Sequence, residues 1–174
     1  SLSLLADDSS SRVQALIATI PEDIVAQCGW MSLFKGISCL NEQSGGADSW
    51  LELAYQLFCA AKEVRGQLLA LVQQVFLSLY QDGCFERWSS RLDLLRELAL
   101  SQRSLLSGVE QLKVAYALGC AELFFGGRLK EVEKLLEFSL AEAQQRQMVK
   151  SQMELNLLRS LLGLQQGRYL VAKT

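Results

Sequence analysis

The feature that most constrains this chain is a two-part stretch at residues 114–143, VAYALGCAELFFGGRLKEVEKLLEFSLAEA. Its first half is almost wholly apolar, with Glu122 the only charge before Gly127. Its second half spaces Val132, Leu135, Leu136, Ser139, Leu140 and Ala143 among Lys130, Glu131, Glu133, Lys134, Glu137 and Glu142. That spacing predicts an amphipathic helix with one buried stripe. Gly126 and Gly127 can take positive φ and end the first helix without a Cβ clash. A buried helix followed by a half-exposed one is the pattern of a helical hairpin stacked against neighbours.

The pattern recurs on either side, with breaks at Gly83 and Gly167 spaced about 40 residues from Gly127, the length of a two-helix repeat. The expected fold is all-α, a right-handed α-solenoid of antiparallel hairpins that complete one another's cores. One helical-repeat domain over residues 1–174 is expected, with hairpins at approximately 21–62, 65–101, 107–147 and 149–174. The last hairpin lacks most of its second helix, which reads as a fragment of a longer protein. Its stripe of Leu155, Leu158 and Leu162 is then expected to lie exposed and to drive self-association through that end.

The chain in order begins with a short helix at residues 12–20, presenting Val13, Leu16, Ile17 and Ile20 to the core. Pro21 starts a second helix, with Glu22 and Asp23 in its first turn, running to about Leu40 through weak points at Gly29 and Gly36. Residues 41–49 read as a loop, with Asp48 or Ser49 capping a helix at 50–61. A turn at 63–66 leads into a long helix ending at Tyr80. Residues 85–100 follow, with Trp88, Leu92, Leu95 and Leu98 inward.

Composition then excludes several function classes. Half the residues are hydrophobic, 21% are charged and one is proline, which argues against disorder and for long helices. No alternating β-branched run predicts a strand. The net charge of −2 offers no basic face for nucleic acid. Arg87, Arg91 and Arg96 interleave with Glu86, Asp93 and Glu97 and read as a solvated helix face. There is no histidine, which removes the commonest general base, the usual triads and most metal sites. The Gly45-Gly46 and Gly126-Gly127 pairs lack the context of a phosphate loop and read as turns. Paired carboxylates on the amphipathic helices read as solvated faces, and Trp30, Trp50 and Trp88 as core packing. No enzymatic activity, cofactor or metal is expected. The five cysteines, Cys28, Cys39, Cys59, Cys84 and Cys120, show no CxxC spacing and read as free thiols in a reducing compartment. No signal sequence and no bilayer-length apolar run is visible. A cytoplasmic location without membrane contact is the expectation.

Several segments carry a resemblance. IPEDIVAQCGWMSLFKG resembles the opening of the helical-repeat region of large bacterial signal-transduction ATPases, regulators of the maltose-activator type and relatives with a bacterial transcriptional activator domain. The run WLELAYQLFCAAKEVRGQLLALVQQVFLSLYQDGCFERW is similar to what commonly follows there. FFGGRLKEVEKLLEFSLAEA and LLGLQQGRYLVA resemble tetratricopeptide repeats, although these units exceed the strict repeat length and lack its terminal proline. The resemblance implies a non-catalytic sensor arm. It would receive a protein, peptide or small-molecule inducer and relay it to nucleotide-binding and DNA-binding modules elsewhere. A general tetratricopeptide-like scaffold of a multi-subunit assembly is the alternative.

The first helices of successive hairpins line the concave face of a solenoid. On the central helix this expectation places Glu110, Ala117 and Ala121 toward a groove. Repeat intervals add Gln73, Gln74 and Gln81 before it, and Lys150, Glu154 and Gln165 after it. Together they would form a small-residue floor with amide and charged walls for a peptide or modest polar ligand. The competing reading is that Ala117 and Ala121 are small because neighbouring helices approach closely there.

Overall fold

The computed structural model describes residues 15–80, 88–101 and 105–167, and these are helices joined by short links, with no strand among them. The elements are α1 (Glu22–Val25), α2 (Gly29–Asn41), α3 (Ala47–Ala60), α4 (Val64–Tyr80), α5 (Trp88–Ser101) and α6 (Gly108–Ala121). A π-helical turn (Glu122–Gly126), α7 (Leu129–Gln145) and α8 (Val149–Gln165) complete them. The chain divides into two compact units, Ser1–Gly83 with Leu98–Leu106, and Cys84–Glu97 with Ser107–Thr174.

In the first unit α2, α3 and α4 pack on one another around Leu33, Ile37, Leu51, Ala54, Phe58 and Ala70. The single helix expected from Pro21 to Leu40 is in fact two, α1 and α2. Packing against Phe58 accounts for the corner: a Cβ on Gly29 would lie 2.8 Å from that ring. The Ser32 hydroxyl donates to the Val25 carbonyl across the corner at 3.0 Å. Gly36 sits inside α2 rather than weakening it, because Leu51 of α3 fills the space where its side chain would be. Neither Asp48 nor Ser49 caps α3. The helix starts earlier, after Gly46 at φ 92°, and Asp48 lies in its first turn, where the helix dipole favours an anion. Ile17 is buried while Leu16 is exposed; Val13, Gln81, Gly83, Cys84 and Phe85 lie outside the described residues, as does the side chain of Trp88.

In the second unit α6, the π turn, α7 and α8 pack together. The α7 stripe is as expected: Val132, Leu136, Ser139, Leu140 and Ala143 are all buried. Gly127 ends the π turn at φ 70° and donates its N–H to the Glu122 carbonyl at 2.7 Å. Nothing lies within 4 Å of a Cβ placed there, so a substitution meets only backbone strain. Gly127→Val should therefore lower stability by about 1–3 kcal/mol. Thermal melts of variant and parent will show it, and equal melting temperatures would refute it.

The expectation for the last helix needs correction. Leu155, Leu158 and Leu162 are not exposed but among the most buried residues of the chain, and that stripe is not available for self-association. Leu158 reaches the bare backbone of Gly119, where a Cβ would sit 2.5 Å from its methyl group. The exposed apolar residues of α8 are Val149, Met153, Leu157, Leu161 and Leu164, on the opposite side.

Two turns repeat each other atom for atom. Between α3 and α4, Lys62 takes φ 55°, the Glu63 N–H donates to the Phe58 carbonyl, and the Gln67 amide donates to that same carbonyl at 3.2 Å. Between α7 and α8, Gln147 takes φ 54°, the Met148 N–H donates to the Ala143 carbonyl, and the Gln152 amide donates to it at 3.0 Å. One constant offset relates all four pairs of positions. These are glycine-free Schellman turns, each held shut by a glutamine one turn into the next helix.

Candidate functional site

The residues expected to line a groove are placed as follows. Ala117 and Ala121 are fully buried, which is the close-approach reading of these small residues. Glu110 is buried as well and is committed to a capping box: the Ser107 N–H donates to its carboxylate at 2.7 Å, and the Glu110 N–H donates to the Ser107 hydroxyl. Gln74 is buried and donates to the Glu52 carboxylate at 3.2 Å, joining α4 to α3. These four are interior and line no open surface. Gln73 is half-buried in the first unit, and Gln81 is outside the described residues. Glu154 is half-buried, and Lys150 and Gln165 are exposed on α8.

Lys150 and Glu154 act on α6 at Lys113, which the sequence reading did not single out, and Glu154 also at Cys120. Lys113, Tyr116 and Cys120 share one face of α6, and α6 packs directly on α8. Burial, reinforced by the neighbouring Lys150 charge, pulls the Lys113 ammonium below the ordinary lysine range, against the opposing pull of Glu154 and Glu110. No hydrogen bond or ion pair reaches that ammonium among the described residues. Lys113 and Lys150 are thus balanced by two carboxylates, half-buried Glu154 and buried Glu110.

Burial also pushes the Cys120 thiol up to about 11, against the hydrogen bond it makes with Tyr116. The folded pKa is raised above the unfolded one, so the contribution is fully present below pH ~9 and is lost as pH rises toward ~11. Relative to Cys120→Ala, the parent should lose about 2 kcal/mol by pH ~10.5. Urea denaturation of both proteins at pH 8 and 10.5 would reveal this, and parallel losses would remove Cys120 as the cause. Cys28, Cys39, Cys59 and Cys120 are all free thiols.

A second charged pair lies at the π turn. Arg96 of α5 donates its Nε–H to Glu122 and an NH1 hydrogen to Asp93, and the Glu122 carboxylate raises the Arg96 pKa. The Glu122 side chain is 4% exposed and that of Arg96 15%. Arg96 therefore does not lie on a solvated face. The signal was the lone Glu122 in an apolar helix, since a buried carboxylate needs a cationic partner.

The surface of α8 carries five exposed apolar residues. Met153 is 69% and Leu157 58% exposed, and Val149, Leu161 and Leu164 continue the stripe. With its other stripe packed in the core, α8 is apolar on two opposite faces, the composition of a helix covered on both sides. The offset that relates the two turns places Met153 on Leu68, Leu157 on Val72, Leu161 on Phe76 and Leu164 on Leu79. On α4 those residues are covered: Leu68 and Val72 are fully buried, and Phe76 and Leu79 are half-buried.

Little else in the described residues suggests chemistry. A cleft of about 90 Å³ between α7 and α8 is lined by Glu133, Leu136, Glu137, Arg159 and Leu162, well under the roughly 300–1,000 Å³ of small-molecule sites. No group of three or more histidine, cysteine, aspartate or glutamate side chains is placed to hold a metal among the described residues. No described helix is long and apolar enough to cross a membrane. No family model, curated protein or solved structure matches the chain.

Proposed function

We propose that this chain is a non-catalytic module of stacked helical hairpins, arranged as a right-handed tetratricopeptide-like solenoid, that works by binding protein. The observation that carries the reading is the second apolar face of α8. It is exposed here, while on α4 the corresponding Leu68 and Val72 are buried and Phe76 and Leu79 half-buried. The recurrence of one hydrogen-bonded turn at Lys62 and Gln147 supports a repeated hairpin as the building unit. In the setting suggested by residues 20–36, the module is the cytoplasmic sensor arm of a bacterial transcription regulator. It relays partner or inducer binding to nucleotide-binding and DNA-binding modules.

Site-specific photo-crosslinking in the native cell tests this. A photoreactive residue in place of Leu157 is expected to give one discrete protein adduct, absent when the same residue replaces the exposed Lys134 of α7. No adduct from Leu157, or the same ladder from both positions, would count against an interaction module.

A further inference from the structure

We draw no further inference here: the strongest candidate, the exposed apolar stripe of Met153, Leu157, Leu161 and Leu164 along α8, is an unpartnered face, and nothing in the structure shows what covers it.

Discussion

Glu122→Ala should destabilise the second unit by about 3 kcal/mol. The carboxylate is almost fully buried and accepts from the Arg96 Nε. Its removal strands a largely buried guanidinium that retains only the exposed Asp93 among the described residues. That residual partner keeps the cost at the lower end of what breaking a buried pair usually entails. The pair is incompletely satisfied, since Oε2 of Glu122 has no partner among the described residues. Replacing both charges, as in Arg96→Met/Glu122→Leu, should therefore come out near neutral. Urea denaturation of the three proteins would decide. A loss under about 1 kcal/mol for Glu122→Ala would mean that the pair stays hydrated in solution.

Phe58→Ala is the larger loss expected in the first unit, about 3–5 kcal/mol. Phe58 is 2% exposed and meets Trp30 edge-on with ring centroids 5.0 Å apart. Its ring also fills the space left by Gly29 and Gly66, where Cβ atoms would lie within 3 Å of it. Two glycine backbones cannot collapse into the hole as flexible side chains might, so most of the cavity should persist. Trp30 is itself pinned, its indole N–H donating to Glu63 at 3.0 Å and Arg65 standing over its ring. A drop below about 2 kcal/mol in the same denaturation assay would show that the pocket repacks after all.

The elements that sequence made plain are those where one signal acted alone. α7 is mostly polar outside one stripe, with Phe138 the large apolar residue exposed off it, so its buried face was readable from periodicity. Gly127 and Gly167 both take positive φ, and a glycine after a helical run is a strong sign of that conformation. α8 was misjudged for another reason: its Leu155, Leu158 and Leu162 stripe was expected to need the second helix of its own hairpin, whereas the preceding α6 and α7 already pack against it. Lys62 and Gln147 reach the left-handed region without glycine, so their turns carried no residue signature; the glutamines that hold them, Gln67 and Gln152, lie in the following helix. Ala117 and Ala121 were open to two readings, a groove floor or a helix contact. Small size serves both, and only burial separates them. The capping box at Ser107 and Glu110 was legible in its S-x-x-E spacing, yet Glu110 was assigned to the groove instead.

The π turn at Glu122–Gly126 holds one more residue than an α-helical turn would over the same rise. It sits between Glu122, fixed to Arg96, and Gly127, where the chain reverses. Elsewhere in α6 the loss or gain of a single residue would rotate everything beyond it by about 100° and turn buried positions outward. Within residues 123–126 a one-residue deletion would merely restore ordinary α geometry and leave residues 108–121 in phase with α7 and α8. This is where homologous chains of unequal length should differ, and where an alignment gap inside a core helix would mark a tolerated change of length.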